Sequence, residues 1–265
     1  MSRRLRLDAE LVRRGLARSR DQAADLIAAG RVAVAGQTAA KAASQVAIDA
    51  AITIQRVSDE PEYVSRGGRK LAGALAAFDG LEVSGKRCLD AGASTGGFTD
   101  VLLRAGAAHV VAADVGYGQL AWSLQTDERV TVLDRVNVRN LSPAQVAPPP
   151  DLVVADLSFI SLTLVLPALV RSAAPDADFV LMVKPQFEVG KDQIGGGVVR
   201  DPALRAAAVG TVAEAAADLG LGVAGVSASP LPGPSGNVEY FLWLRRGAGP
   251  LDPALLRAAV EAGPQ

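Results

Sequence analysis

The chain has 265 residues, 49% of them hydrophobic and only 4% aromatic, and its formal net charge is -1; that length holds one full α/β domain and a small companion. The single cysteine, Cys88, excludes an internal disulfide framework and fits a reducing cytoplasm, and one histidine without a CxxC pair excludes the usual zinc site, so no metal is expected. No apolar run approaches the ~20 residues of a membrane span, and no apolar signal core follows Arg3, Arg4 and Arg6, so neither a membrane protein nor a secreted one is indicated.

The near-neutral total hides an asymmetry. Residues 1–70 carry 13 Lys and Arg against 8 Asp and Glu, or +5, and the remainder carries -6. A chance spread of surface arginines is the plain explanation. Residues 5–56 read as a compact unit. Leu7, Leu11, Val12 and Leu16 recur at helical spacing, and Ser19-x-x-Gln22 has the form of a capping box opening a second helix that stops at Gly30. Val32-x-Val34 and Ile52-x-Ile54 alternate like short strands, with a turn at Gly36-Gln37. Arg13, Arg14, Arg18, Arg20 and Arg31 surround the helix junction. The run RLDAELVRRGLARSRDQAADLIAAGRVAVAG resembles the alpha-L RNA-binding motif, the helix–turn–helix–strand module of a small-subunit ribosomal protein and of several RNA-modifying enzymes. The resemblance implies that these arginines, with Arg3, Arg4 and Arg6, meet RNA phosphates, giving affinity without sequence choice. An ordinary helical hairpin with a solvated arginine face is the alternative.

Residues 58–62 are polar, contain a proline and read as a linker. Residues 1–60 are therefore expected to form a small α+β domain and residues 61–265 a second one. From Arg66 onward Leu71, Ala74, Leu75 and Phe78 form a helical stripe. KRCLDAGA, AHVVAADV, RVTVLD, DLVVADLS and DFVLMVK then alternate with helical segments, and strands around 222–227 and 238–244 bring the count to seven. Continuous apolar strands alternating with helices predict a doubly wound, Rossmann-like α/β sheet covered on both faces.

The first of these strands runs into Asp90-Ala91-Gly92-Ala93-Ser94-Thr95-Gly96-Gly97-Phe98, where glycine lets the backbone turn tightly and approach a ligand. Such a loop by itself also suits dinucleotides. Asp90, however, would be unfavourable beside a pyrophosphate, whereas it suits the ammonium of a methionine moiety. Asp114 closes the next strand, 24 positions on, where a carboxylate can take both hydroxyls of an adenosine ribose. Asp134 closes the third and can flank the adenine. Acidic residues at three successive strand ends argue for a cationic, phosphate-free cofactor, which S-adenosyl-L-methionine is. Capping and turn roles for the same carboxylates are the plain alternative.

Methylating a ribose hydroxyl requires a base and accurate positioning. An ordinary lysine, with a pKa of ~10.4, is protonated at neutral pH, so a lysine base needs burial or a nearby cation and carboxylates to hold it. Asp156 closes the fourth strand, Lys184 the fifth, Glu239 opens the last, and Lys70 lies on the helix before the first. Strand ends on one edge of a parallel sheet face one crevice.

These four residues resemble the Lys-Asp-Lys-Glu tetrad of the FtsJ-like 2′-O-methyltransferases. SRGGRKL, LDAGASTGGFTDVLL, DVGYGQL, DLSFISL, VKPQFEVG, GGVVRDP and GPSGNVEY further occur in the order seen in the TlyA family of hemolysin-like proteins, described as ribosomal RNA 2′-O-methyltransferases acting on cytidine. The resemblance covers nearly the whole chain. It implies that Lys184 is the base or its immediate partner, tuned and oriented by Asp156 and Glu239, while Lys70 positions the ribose and Arg66 and Arg69 join the RNA-binding arginines. It implies a cofactor-binding set of Asp90, Gly92, Ala93, Ser94, Thr95, Gly96, Gly97, Phe98, Asp114, Val115, Asp134, Asn137, Asp156 and Leu157. It also implies ribosomal RNA or ribosomal subunits as partner, in the cytoplasm; oligomeric state leaves no mark in the sequence, and a monomer needs no special features. Asp134 stands where Glu is expected, and Gly195 where a lysine is usual. Residues 190–200, rich in Gly and bracketed by Lys191 and Arg200, read as a substrate lid. Phe159 and Tyr240 read as core or rim residues, and His109, Trp122 and Trp243 as packing. The rival classes are a membrane-active hemolysin-like protein, a non-catalytic RNA-binding protein on the same fold, and a base methylase. The last needs Asn-Pro-Pro-Tyr after the fourth strand, where Asp156-Leu157-Ser158-Phe159 stands.

Overall fold

A computed structural model describes residues 4–17, 19–55, 62–190 and 197–264. Arg3, Arg18, most of the expected linker, and Gly195 with Lys191 and the centre of the expected lid lie outside the described residues. The chain divides into two compact units, Met1–Glu62 and Tyr63–Gln265.

The first unit runs β1 (Arg4–Arg6), α1 (Leu7–Arg13), α2 (Arg20–Ala28), β2 (Val32–Val34), β3 (Gln37–Thr38), β4 (Gln45–Ala47) and β5 (Ile52–Ile54). The helical spacing of Leu7 and Leu11 buries both side chains against Ala23, Ile27 and Val32. Ser19 caps α2, its Oγ accepting the Gln22 N–H at 3.1 Å, and Gly30 ends it at φ +67, where a residue with a Cβ would be strained. β3, β2 and β5 form one antiparallel sheet, and β1 pairs with β4. The arginines are partly occupied by the fold itself. Glu10 is fully buried and accepts from Arg13 and Arg14, which hold its carboxyl at about 2. Arg14 also donates to the carbonyls of Ala50 at 2.7 Å and Ile48 at 2.8 Å. Arg6 and Arg20 share Asp8, at 2.8 and 3.0 Å. Arg31 donates to the Gln55 carbonyl.

The second unit contains α3 (Arg66–Ala77), β6 (Arg87–Ala91), α4 (Gly97–Arg104), β7 (His109–Ala113), α5 (Trp122–Gln125), β8 (Val130–Leu133), α6 (Pro143–Val146), β9 (Leu152–Ala155) and α7 (Leu162–Ser172). It continues through β10 (Asp178–Val183), α8 (Pro185–Glu188), α9 (Pro202–Ala217), β11 (Gly222–Ala228), β12 (Tyr240–Arg245) and α10 (Pro253–Ala262). Seven strands form one sheet in the order β11-β12-β10-β9-β6-β7-β8. The five from β10 to β8 are parallel, and β12 runs antiparallel to both its neighbours. Alternation along each strand divides the apolar side chains between two cores. Leu89, Val111, Val153 and Leu181 face the layer containing α7 and α9. Cys88, Val110, Leu152, Val154 and Val180 face the layer containing α3 and α4. Burying each such Val or Leu stabilises the fold by about 1.5–3 kcal/mol, which is why these strands read as unbroken apolar runs.

The parallel strands deliver their carboxyl ends to one edge, and the register of β12 brings a sixth element there. Val183 pairs with Tyr240, so Lys184 at the end of β10 and Glu239 at the start of β12 reach the same edge.

Candidate active site

The loop after β6 turns through Gly92 at φ +88 and Gly96 at φ +95. Its backbone is pinned to β7, with the Gly92 and Ala93 N–H groups donating to the Ala113 carbonyl at 2.8 and 3.1 Å. Packing within the protein demands glycine here. A Cβ on Gly92 would stand 2.5 Å from the Asp156 carbonyl oxygen, one on Gly96 would run into Leu124, and one on Gly97 would run into Ser65 and the Gly68 nitrogen. The start of α3 therefore lies directly on the glycine loop.

The strand-end carboxylates hold the loops together. Asp114 accepts the N–H groups of Ser94 at 2.8 Å and Gly116 at 2.7 Å, and Asp134 accepts that of Gly118 at 3.0 Å. Asn137 accepts the Arg139 N–H and opens a short helical turn. Asp90 is different: it is wholly buried, its Oδ2 accepts from Thr99 at 2.7 Å, and its Oδ1 has no hydrogen-bond partner among the described residues. Burial pushes its carboxyl up to about 7, opposed by the Thr99 hydrogen bond and reinforced by the negative charges of Asp156 and Asp114.

A cavity of about 300 Å³ joins this loop to the lysines. Gly92, Ala93, Ser94, Thr95, Gly97 and Phe98 line one side, and Lys70, Asp156, Ser158 and Lys184 the other, with Pro232 and Pro234 as a further wall. Lys70 is buried on α3 and donates to Glu239 Oε2 at 2.5 Å. Lys184, also buried, lies 2.6 Å from Asp156 Oδ1 and donates to Ser158 Oγ at 2.9 Å. Two roomier hollows, of about 430 and 530 Å³, lie beside α10 and α9. Their linings are mainly apolar and contain no lysine, whereas the smaller cavity brings both lysines to the glycine loop.

Several expectations change in detail. Glu239 pairs with Lys70 instead of orienting Lys184, because the start of β12 faces the buried end of the α3 lysine. Phe98 is largely buried, packed 6.0 Å from Phe241, while still lining the cavity. Asp90, Gly96, Asp114, Val115, Asp134, Asn137 and Leu157 do not line the cavity. Trp122, expected to be packed, is 76% exposed, and Phe159 is a rim residue at 91%. Trp243 and Tyr240 are core, and His109 meets Thr131 at 2.9 Å. Arg66 donates to the Pro232 carbonyl at the cavity wall, and Arg69 lies on the exposed side of α3. Ser158 was missed: DLSF displays it, but a serine after a strand-end Asp carries no signal until Lys184 is seen beside it.

Residues 63–246 match the model of the FtsJ-like methyltransferase family, and residues 5–52 that of the S4 domain. The chain is 65% identical over 246 residues to the 16S/23S rRNA (cytidine-2′-O)-methyltransferase TlyA of Mycobacterium tuberculosis, covering 92% of this chain and 91% of that one. The chain belongs to the TlyA family of FtsJ-like methyltransferases. Hemolysin A of Brachyspira hyodysenteriae is 36% identical over 240 residues, covering 89% of this chain and 98% of its own length. A solved structure from Streptococcus thermophilus, described as a candidate hemolysin, superposes with a TM-score of 0.78 at 37% identity, covering 98% of this chain and 96% of that one. No helix among the described residues of this TlyA-family chain is long and apolar enough to cross a membrane.

Proposed function

We propose that the chain transfers the methyl group of S-adenosyl-L-methionine to a cytidine ribose 2′-hydroxyl in ribosomal RNA. The observation that carries this reading is the meeting, in one cavity, of the glycine loop with two buried lysines, each within 2.6 Å of its own carboxylate. The reaction and substrate of the M. tuberculosis relative, as its name gives them, support the same assignment.

The residues fit the cofactor. Asp90 Oδ1, buried behind the cavity lining and without a hydrogen-bond partner among the described residues, is an acceptor for an ammonium that the glycine loop would have to admit, and Asp114 and Asp134, also behind the lining, stand at the next two strand ends for the adenosine portion. Three carboxylates and no Lys or Arg on the glycine loop suit a cation and oppose a phosphate. When bound, the sulfonium supplies a methyl group that is already electrophilic.

The protein then has to provide position and one base. Lys184 Nζ takes the 2′-hydroxyl proton. Asp156 balances the charge that Lys184 gains. Lys70, anchored by Glu239 at 2.5 Å, places its ammonium by the ribose. The arginines of the first unit contact RNA phosphates, which positions the substrate without reading its sequence. The chain acts on ribosomal subunits in the cytoplasm.

The test is transfer of labelled methyl groups to ribosomal subunits lacking the modification, by wild type and by Lys184→Ala. Label should enter ribosomal RNA with wild type and be lost with the variant while cofactor binding persists. A variant that still transfers overturns the base assignment, and a wild type that labels neither subunit overturns the substrate.

A further inference from the structure

The geometry around Lys184 points to Ser158 as the residue that aims the base, an inference resting on the proposed reaction. Asp156 Oδ1 lies 2.6 Å from Lys184 Nζ as an ion pair, but among the described residues that contact lacks hydrogen-bond geometry and the oxygen has no hydrogen-bond partner. The aligned acceptor among the described residues is Ser158 Oγ, at 2.9 Å. Charge and direction therefore come from different side chains. An ammonium attracts a carboxylate from any angle, and this attraction does not fix where the hydrogens, or the lone pair of the neutral amine, point. A hydrogen bond does, because it needs alignment. The substituents of Nζ are staggered about its bond to Cε. With one N–H held on Ser158 Oγ the remaining positions are set, and both residues line the cavity that would receive the ribose.

Ser158 is itself held by strained and tied backbone. Phe159 has φ +64, a left-handed conformation that a bulky side chain rarely adopts, and such strain concentrates where function requires it. The turn sends successive side chains apart, Ser158 to Lys184 and Phe159 to the rim, where its ring stands 5.2 Å from that of Phe187. Phe187 belongs to the turn that Lys184 opens, its N–H donating to the Lys184 carbonyl at 2.8 Å. Farther along, Ser161 Oγ and the Leu162 N–H both donate to Glu188, at 2.5 and 2.8 Å. The turns after β9 and β10 are thus joined at three places, and the Ser158–Lys184 hydrogen bond is the one nearest the reacting group. Ser158 is a positioning residue: it acts through Lys184.

Wild type, Ser158→Ala and Ser158→Thr are compared in three measurements. These are single-turnover methyl transfer to ribosomal subunits, cofactor affinity by calorimetry, and acetylation of Lys184 by an N-hydroxysuccinimide ester, followed by mass spectrometry. Ser158→Ala should lower the single-turnover rate on the order of tenfold while cofactor affinity stays within about twofold, the signature of lost positioning without lost binding. Its Lys184 should acetylate severalfold faster, being released from its acceptor. Ser158→Thr, which keeps the hydroxyl, should restore both. A full rate in Ser158→Ala, unchanged acetylation, or a threonine variant as slow as the alanine one overturns the assignment. If wild type transfers no methyl group, the ribose-methylation reading fails by itself, and the acetylation comparison still decides whether Ser158 holds Lys184.

Discussion

Asp90→Asn should change two properties in opposite directions. In the free protein Asp90 is wholly buried, with one hydrogen bond from Thr99 and a bare Oδ1, and its carboxyl is raised from 3.8 to about 7. That interval, at about 1.4 kcal/mol per pH unit, amounts to about 4 kcal/mol. Because the folded value is raised, the favourable contribution is complete below pH 3.8 and is lost as pH climbs through about 7. Asparagine matches the shape and has no charge to bury, but leaves a buried amide N–H without an acceptor, at about 1–3 kcal/mol. Without cofactor, the variant should therefore be more stable than wild type near pH 8 by about 1–3 kcal/mol, and less stable near pH 4. Cofactor affinity should fall instead. A hydrogen bond to an ionised group contributes about 1.5–3 kcal/mol, so the variant should bind about 10- to 150-fold more weakly near pH 8. Wild-type affinity should itself drop about tenfold for each pH unit below 7, since the ammonium needs the ionised carboxylate, and the variant's affinity should not. Urea unfolding at the two pH values and calorimetric titration with S-adenosyl-L-methionine read both effects. A variant less stable than wild type near pH 8, or a wild-type affinity flat with pH, refutes the reasoning.

Glu239→Ala leaves the Lys70 ammonium buried without its partner, which should destabilise the protein by about 3–5 kcal/mol; a loss below about 1 kcal/mol in urea unfolding would show the pair to be solvated. Gly92→Ala combines φ +88 with a Cβ 2.5 Å from the Asp156 carbonyl. It should cost at least about 2 kcal/mol and displace Asp156 from Lys184, so unchanged stability with full activity would contradict the packing role. In the first unit, Arg14→Ala removes bonds to Glu10, Ala50 and Ile48 and should lower thermal stability. Arg20→Ala should instead weaken RNA binding and reduce the salt slope by roughly one. RNA affinity unchanged by Arg20→Ala over a salt titration would remove Arg20 from the interface.

The seven strands were legible because β7, β9 and β10, beyond their opening residues, run apolar up to the polar residue that follows each. That same break in pattern displayed Asp114, Asp156 and Lys184 as edge residues. β1 and β4 escaped notice because three-residue strands such as Arg4–Arg6 and Gln45–Ala47 are too short to show alternation, and Arg4–Arg6 looks like a basic patch. Which lysine meets which carboxylate could not be read at all. Lys70 and Glu239 are 169 positions apart, and only the β10–β12 register and the seating of α3 on the glycine loop bring them together. Burial misled at Trp122 for a related reason: residue type favours the interior, but the start of a four-residue helix offers little to pack against. The glycines pointed to a close approach, and the partners of Gly92, Gly96 and Gly97 turn out to be protein atoms.

The most direct test of ribose methylation is alkaline hydrolysis of ribosomal RNA labelled by the wild-type protein. A methyl group on the 2′-oxygen blocks attack on the adjacent phosphate, so the label should emerge in an alkali-resistant dinucleotide whose 5′ residue is 2′-O-methylcytidine. Label recovered in an alkali-released mononucleotide would place the methyl group on a base and contradict the account.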